Sequence, residues 1–483
     1  MGIPANRERV EAQAGPDLAN ARRWVAVAIG SLVVAGGFAL VLVIGRTPPF
    51  AHLFPDAHFF KRCLVVHVDC ALVIWFYAYV AGLFHLLPGP THGVAGRVGS
   101  WVSLLGLVGM MSAATQPGAE PVLANYVPMI DHPLFVVGLL LFAVGVALAV
   151  LEARLLPAPG APAGAGLLPP AAHPFLRAAA LAFVIALTCF WGAWVGTPRD
   201  LPASSYYEIV MWGGGHVLQF ASVAAMLAVW LWLLSPLVGD APILSACGAR
   251  WLAALLVLPL LAAPVLGLRG TTSGFYRQSF TRLMEFAIFP VVTIVLLQSV
   301  RALVRARRAG TLPRGGWRDW RLVSFAVSAA LTVTGFLLGA AITGPNTMVP
   351  AHYHAAIGAV TAAFMASTYL LLAPFGMPLR GGWFERLAAW QVPLYGVGQL
   401  VFTLGFGMAG THGAARKAYG QEQVVRTLGE YVGLGVMGLG GAVAAVGGLL
   451  FLGLIVVAGY QRGVRRPATV VAASAQQGEV YGR

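Results

Sequence analysis

Long apolar runs separated by short polar stretches dominate the pattern along this 483-residue chain. Most runs approach or exceed the length of about 20 residues that a helix needs to cross the hydrocarbon part of a bilayer. Helices are expected because, in lipid, every backbone N–H and C=O must find its partner within the same segment. We predict twelve membrane-spanning helices, at 24–45, 63–87, 98–114, 133–153, 177–196, 206–235, 251–268, 283–303, 321–343, 350–375, 387–410 and 432–460.

The pattern predicts an all-α integral membrane protein with a single twelve-helix domain over 23–461. No internal repeat and no soluble domain interrupts it. The N-terminal tail, 1–22, is polar and lacks the charged-then-apolar pattern of a signal peptide, so we expect it to remain as a cytoplasmic tail. The small, polar C-terminal tail, 462–483, is expected to be cytoplasmic and disordered.

Composition supports lipid as the solvent. The chain is 58% hydrophobic and 10% charged, whereas a soluble domain carries about 25% charged residues. A net charge of +14 could indicate a nucleic-acid partner in a soluble protein. Here most basic residues lie in connectors and tails, so the positive-inside rule explains them without nucleic acid. It places both termini in the cytoplasm, and we expect a bacterial inner membrane. The connector 411–431 is the exception, because it falls outside and yet carries Arg416, Lys417 and Arg426.

Four of the eleven histidines lie inside apolar segments, namely His67, His216, His352 and His354. Ionisable groups at membrane depth are costly and usually functional. For any single one, a neutral histidine bonded across helices is the simpler interpretation. The four lie on segments that run in the same direction, at a common depth of about 5–15 Å below the outer surface at ~1.5 Å per residue. Together they favour a cofactor site.

The pair His352-x-His354 is the most informative of these positions. Residues two apart on a helix point about 200° apart, so one helix can ligate two cofactors on opposite sides. A zinc pair would need a spacing of three or four. Haem suits the pattern because its axial imidazoles carry no charge and the porphyrin is apolar. Its propionates would point outward, where Arg416 and Lys417 could neutralise them.

These residues together resemble subunit I of the haem-copper oxidase superfamily, which includes cytochrome c oxidases and nitric oxide reductases. The similarity follows all twelve segments in order, and AHYHAAIGAVTAAF resembles the family's tenth helix. It implies that His352 binds a high-spin haem, while His354 and His67 are the axial ligands of a low-spin haem. We expect both haems to be b-type. Arg416 and Lys417 are placed like the family's basic pair for haem propionates.

Two further stretches carry the resemblance. Trp212-Gly-Gly-Gly-His216 is similar to the family's W-x-x-x-H, in which the histidine binds a second metal. NYVPMIDHPLFVVG, at segment four, is similar to the B-type oxidases and the reductases related to them. The family's adjacent histidine pair after helix seven is replaced by Arg282-Leu283, and the usual oxidase tyrosine is Phe220. Copper held by imidazole needs more than one such ligand, so these departures argue against an ordinary copper centre.

A different non-haem metal is the alternative at this position. His216, Glu208, Gln219 and Glu285 offer mixed nitrogen and oxygen ligands, which suit iron better than copper. The simpler interpretation leaves Glu208 and Glu285 at the membrane interface and Gln219 bonded to a neighbouring helix. Asp69, two residues after His67, is expected to pair with a buried polar group or to belong to a proton path.

The resemblance implies a membrane haem oxidoreductase that passes electrons from an outer-face donor, through the low-spin haem, to the high-spin haem. The substrate would be O2 or NO, with NO slightly favoured by the site residues. The chain has no C-x-x-C-H site, so the donor would be a cytochrome c or a cupredoxin-like second subunit. The alternative is a degenerate relative that acts as a haem-based electron conduit or sensor. A transporter would not explain the His-x-His pair or the common histidine depth.

Overall fold

The computed structural model describes residues 14–46, 57–156, 166–239, 242–312, 319–416 and 425–464. Within these ranges the chain forms twelve helices long and apolar enough to cross a membrane, one for each predicted segment. The predicted all-α membrane class is thereby confirmed. The helices are α1 Leu18–Arg46, α2 Ala57–Asp69 continuing to Phe84, α3 Val94–Ala113, α4 Pro133–Val150, α5 His173–Gly196, α6 Ala203–Leu234, α7 Ala246–Val257 continuing to Arg269, α8 Gly274–Leu283 continuing to Arg308, α9 Trp320–Ala340, α10 Met348–Leu372, α11 Gly382–Thr411 and α12 Leu428–Val464.

Three of the helices change winding along their length. A π-helical turn, Cys70–Ile74, joins the two halves of α2, and a second one, Met284–Ile288, interrupts α8. The second half of α7, Leu258–Arg269, is wound as a 3-10 helix and contains Pro264. Between the helices, the described residues form two short antiparallel pairings. β1 (Ala14–Gly15) pairs with β2 (Gly89–Pro90), and β3 (Glu120–Val122) pairs with β4 (Met129–Asp131).

Helix ends differ from the predicted ones where polar turns extend a helix beyond its apolar run. α2 begins at Ala57 instead of 63, and α8 begins at Gly274 instead of 283. α1 begins at Leu18, inside the predicted tail 1–22, because the Asp17 carboxylate accepts the backbone N–H of Asn20 at 3.0 Å as an N-cap. The remaining parts of the two predicted tails, 1–13 and 465–483, lie outside the described residues.

The helices that carry the four membrane histidines form the centre of the bundle. In the apolar stretches of α2, α6 and α10, 72%, 89% and 78% of the residues are buried, against 28–44% in the other nine described spans. Hydrogen bonds join these central helices, since Tyr77 Oη on α2 donates to Leu218 O on α6 at 2.9 Å. Tyr79 of α2 bonds the hydroxyls of Ser367 and Thr368 on α10. The histidines are therefore held on the least lipid-exposed part of the molecule.

Glycines allow two outer helix pairs to pack with their backbones in contact. A Cβ added at Gly440 of α12 would collide with the backbone of Phe402 on α11, and Gly398 and Gly405 of α11 face α12 in the same way. In the α3–α4 pair, Gly106 faces the backbone of Gly138. Small residues at such contacts are a common basis for helix association in membranes, where packing replaces the hydrophobic effect.

Candidate functional site

His67 lies on α2 and His354 lies on α10, two helices that the hydrogen bonds of Tyr79 join. His67 Nδ1 is 2.8 Å from the backbone oxygen of Ala35 on α1. Because a carbonyl can only accept, Nδ1 carries the proton and the lone pair of Nε2 stays available. The His354 ring packs against Phe402 and Phe406 of α11, with ring centroids 4.8 Å and 6.1 Å away. It makes no hydrogen bond to a described residue.

His352 has the same arrangement as His67 on the other side of α10. Its Nδ1 lies 2.7 Å from the backbone oxygen of Gly335 on α9, which fixes the proton on Nδ1 and leaves Nε2 free of any described partner. The ring passes over Gly339, where an added Cβ would be 2.7 Å from Nδ1. His352 thus faces α9, whereas His354 faces α11. The two rings diverge as the spacing of two residues predicts.

These three histidines fit the requirements of haem ligands. Metal-bound histidines commonly donate their second N–H to a backbone carbonyl, as His67 and His352 do here. His352 and His354 are half-buried, although their neighbours Ala351 and Ala355 are 0% exposed. Tyr353, between them, is 39% exposed, so this turn of α10 is only partly covered by the other described residues. Imidazole donors facing apolar side chains match an apolar macrocycle with axial nitrogen ligands.

His216 differs from the other three because both of its ring nitrogens are occupied. The ring is 2% exposed. Nδ1 lies 2.7 Å from the backbone oxygen of Trp212, and Nε2 lies 2.8 Å from the hydroxyl of Tyr126. The rings of Tyr126 and Trp212 also pack against the imidazole, at centroid distances of 4.4 Å and 4.6 Å, and lie edge-on to each other at 5.8 Å. No lone pair of His216 is left for a metal in this arrangement.

The three glycines before His216 make room for aromatic side chains. An added Cβ at Gly215 would collide with Tyr126, and one at Gly214 would lie 2.5 Å from the ring of Phe190. One at Gly213 would lie 2.5 Å from the hydroxyl of Tyr276. Because Gly213, Gly214 and Gly215 have no side chains, aromatic residues of neighbouring segments pack directly against this part of α6, next to His216.

A hydrogen-bonded network lies above His216, at the start of α6. The Asn125 backbone N–H donates to Glu208 Oε2 at 2.9 Å, and its side-chain amide donates to the other carboxylate oxygen. Arg416 donates to Asn125 Oδ1 at 2.6 Å. The α9–α10 connector is attached to the α11–α12 connector at this end, because Asn346 forms a β-bridge with Ala415. Arg416 therefore reaches the same end of the bundle as the central histidines, while Lys417 lies outside the described residues.

The residues predicted as second-metal ligands are not brought together. Glu208 is engaged by Asn125, and Glu285 pairs with Arg282 at 3.0 Å, both side chains being exposed. Gln219 is half-buried, one turn after His216. In the part of the chain that the structure describes, no group of three or more His, Cys, Asp or Glu side chains could hold a metal ion.

Sequence reasoning missed Tyr126, which is the direct partner of His216. Its backbone φ is +69°, a left-handed conformation that a bulky residue seldom adopts and that no local motif indicates. The three consecutive glycines were the available signal, because they imply bulky neighbours. Asp69 is 0% exposed, and neither of its carboxyl oxygens bonds a described residue. Of the two expectations for Asp69, a buried polar partner is not found among the described residues, and membership of a proton path stays a prediction.

Comparison with known proteins gives no family model that matches the chain. The chain is 28% identical to an uncharacterized protein of Aquifex aeolicus (strain VF5) over 390 residues, covering 77% of this chain and 89% of that protein. It is 22% identical to an uncharacterized protein of Rickettsia prowazekii (strain Madrid E), covering 90% and 94% of the two chains. The similarity thus spans most of the membrane domain in two bacterial proteins.

Proposed function

We propose that this chain is a membrane haem oxidoreductase related to subunit I of the haem-copper oxidases. In this proposal His67 and His354 hold a low-spin haem between α2 and α10, and His352 holds a high-spin haem on the α9 side of α10. The observation that carries it is the state of the imidazoles. His67 and His352 donate Nδ1–H to a backbone carbonyl and keep Nε2 free, and His354 has no described hydrogen-bond partner.

Each group of this chain has a defined part in the proposal. The haems would supply the redox chemistry when bound. Ala35 O and Gly335 O orient the imidazoles of His67 and His352 and set their tautomers. Phe402 and Phe406 cover the His354 ring and keep water from that side. Arg416 supplies positive charge for propionates at the end of the bundle where α2, α6 and α10 begin, and the sequence assigns the same role to Lys417, the next residue along the chain.

The direction of electron flow in this proposal is the one that the family resemblance implies. The proposal places the Arg416 end of the bundle on the outer face of a bacterial inner membrane, with both termini in the cytoplasm. Electrons would enter there from a cytochrome c or a cupredoxin-like second subunit. They would pass through the low-spin haem to the high-spin haem, where NO or O2 is reduced. Phe220 and Arg282-Leu283 replace oxidase residues, which favours NO as the substrate.

A second candidate function is an electron conduit or haem-based sensor without turnover. The occupied Nε2 of His216 and the Glu285–Arg282 pair favour it, because both remove ligands from a second metal. The two candidates differ only in what happens at the high-spin haem. The low-spin haem and its ligands are common to both.

Turnover of the purified full-length protein distinguishes the candidates. The protein is extracted in mild detergent, its haem is quantified, and NO and O2 consumption are followed with a chemically reduced electron donor. Haem with NO or O2 consumption that is lost in His352→Ala supports the oxidoreductase. Haem that is reduced by the donor, with no gas consumed, supports the conduit. Absence of haem contradicts both.

A further inference from the structure

We infer that Tyr126 takes the place of a second metal at His216, so that a tyrosine–histidine pair closes this side of the high-spin pocket. The inference deepens the proposed function and rests on it for the presence of the haem. It concerns a residue in the α3–α4 connector for which the sequence predicted no role. The pair is formed by two side chains of this chain and requires no ion.

The hydrogen bonds define how the pair is protonated. Trp212 O can only accept, so the proton of a neutral His216 ring is on Nδ1. Nε2 is then an acceptor, and the Tyr126 hydroxyl at 2.8 Å must be the donor. A metal at Nε2 would have to expel this hydroxyl, and one at Nδ1 would have to break the bond to Trp212. Both ligand positions of the imidazole are therefore already used.

Tyr126 is held in place by its surroundings from several directions. Its ring lies in the gap that Gly215 leaves on α6 and is edge-on to Trp212 at a centroid distance of 5.8 Å. The preceding Asn125 is anchored to Glu208 and Arg416. Tyr126 lies in the loop between β3 and β4, and the pairing of these two strands closes that loop. Such anchoring is what a left-handed tyrosine needs, since this backbone conformation persists only when the surrounding structure fixes it.

Neither of the two predicted carboxylates compensates for the engaged His216. Glu208, the nearest candidate carboxylate on α6, bonds two N–H groups of Asn125. Glu285 turns away to Arg282 on an exposed surface. A borderline or hard metal ion needs three or more protein ligands for a defined site. Of the predicted ligands, His216 is the one imidazole, and both of its nitrogens are occupied.

Metal content gives the first test. Copper and total iron are measured by elemental analysis on the purified full-length wild type and on His216→Ala, and haem is measured separately. We expect no copper in either protein. In both proteins the total iron should equal the iron of the haem, so the content of non-haem metal should not differ between them. About one extra metal per chain that disappears in His216→Ala would overturn the inference, since a histidine-held metal would depend on that ring. A lack of haem would count against the proposed function alone.

Chemical labelling gives the second test and does not depend on haem. Diethyl pyrocarbonate modifies accessible, unprotonated imidazole nitrogens, and the modified residue is located by peptide mass spectrometry. His216 should be protected in the wild type. It should react about tenfold faster in Tyr126→Phe, the factor for one lost hydrogen bond of ~1.4 kcal/mol. Gly215→Ala should expose the same ring independently, by displacing Tyr126.

Tyr207→Phe is the matched control for this labelling. Tyr207 also bonds the α3–α4 connector, through Asp131 at 2.7 Å, but does not touch His216. Its removal should leave His216 as protected as in the wild type. Equal labelling of His216 in the wild type and in both Tyr126→Phe and Gly215→Ala would show that the tyrosine does not cap the ring and would overturn the inference.

Discussion

At the residue scale, the four histidines inside the bundle differ in what remains of each imidazole after its hydrogen bonds are made. In His67 and His352, one ring nitrogen is hydrogen-bonded to a backbone carbonyl and the other has no described partner. In His216, both ring nitrogens are hydrogen-bonded. In a metal-binding histidine, one ring nitrogen donates a hydrogen bond that orients the imidazole, and the other ring nitrogen binds the metal. The same residue type is thus prepared for ligation at some positions and for hydrogen bonding alone at another.

The low-spin pair leads to a prediction about two single substitutions. A low-spin haem needs both axial imidazoles, so His67→Ala and His354→Ala should each abolish its sharp reduced absorption bands. Both should leave the high-spin haem on His352 and about half of the wild-type haem content. Absorption spectra of the purified variants measure this. His132→Asn is the control, because it changes a connector histidine and keeps a residue able to cap α4. A variant that retains the low-spin bands would contradict the assignment.

Gly339 gives a prediction for the high-spin side. The methyl group of Gly339→Ala would lie 2.7 Å from His352 Nδ1 and push the ring away from Gly335 O. Loss of such an orienting contact lowers metal affinity by about 10–100-fold. We expect high-spin haem to be depleted while low-spin haem is kept, as measured by carbon monoxide difference spectra. Gly344→Ala meets no atom within 4 Å and should behave as the wild type. Full retention of the high-spin haem in Gly339→Ala would argue against His352 as its ligand.

The sequence allowed part of the candidate site to be predicted at this scale. The divergence of His352 and His354 follows from helix geometry alone, and the structure has it. The cap on His216 could not be predicted, because Tyr126 is 90 residues away along the chain. Its approach depends on a left-handed backbone and on where a connector folds. Such contacts between distant segments leave no periodic signal.

At the element scale, hydropathy identifies the spanning helices because lipid leaves the backbone few alternatives. It places their ends less well, since polar first turns such as those of α2 and α8 continue the helix outside the apolar run. The π-helical turn Cys70–Ile74 could not be predicted either. It adds a residue to one turn, and the part of α2 that follows, Trp75–Phe84, is buried at every position, so no shift of an amphipathic pattern marks the extra residue.

The close packing of α11 on α12 predicts a loss of stability on adding one methyl group. In Gly440→Ala the new Cβ would meet the backbone of Phe402, which cannot move aside as a side chain can. Overpacking of this kind costs about 1–3 kcal/mol. Unfolding of the purified protein in detergent measures it. Gly438→Ala on the same helix has nothing within 4 Å and should not destabilise. Equal stability of the two variants would contradict the packing.

A buried ion network ties together the connectors at the end where α1 begins. Asp17 accepts the N–H groups of Asn20 and Gly93 at 3.0 Å each. Glu152 accepts the N–H of Gly96 at 2.8 Å and lies 3.7 Å from both His85 and Arg154. Burial raises the pKa of both carboxyls. These donors and cations outweigh burial, so the pKa of Asp17 and of Glu152 lies below its ordinary value.

This network predicts an acid-sensitive stability. A carboxyl whose folded pKa is lowered stabilises the fold above its unfolded pKa, and the contribution is lost as pH falls through the folded value. The melting temperature in detergent should therefore fall from about pH 5 downward, and it should fall less in Glu152→Gln, which cannot titrate there. Glu385→Gln, at an exposed glutamate in the first turn of α11, should follow the wild type. Identical pH profiles for Glu152→Gln and wild type would exclude the network as a source.

At the scale of the whole molecule, the most buried helices and the candidate ligands coincide. α2, α6 and α10 are the helices shielded from lipid by the other nine described spans, and they carry all four membrane histidines. Electron transfer between two haems held on opposite sides of α10 would take place in this shielded centre. The connectors at the Arg416 end close over it through Asn125 and Glu208. In the proposed function, haem therefore binds at the centre of the bundle and the electron donor docks at the Arg416 end.

The most direct test of the central claim is the haem content of the purified full-length protein. Pyridine haemochrome absorbance gives the amount and type of haem, and amino-acid analysis gives the amount of chain. We expect two b-type haems per chain in the wild type, and none in the triple variant His67→Ala, His352→Ala, His354→Ala. A folded wild-type protein with no haem, or a triple variant with undiminished haem, would contradict it.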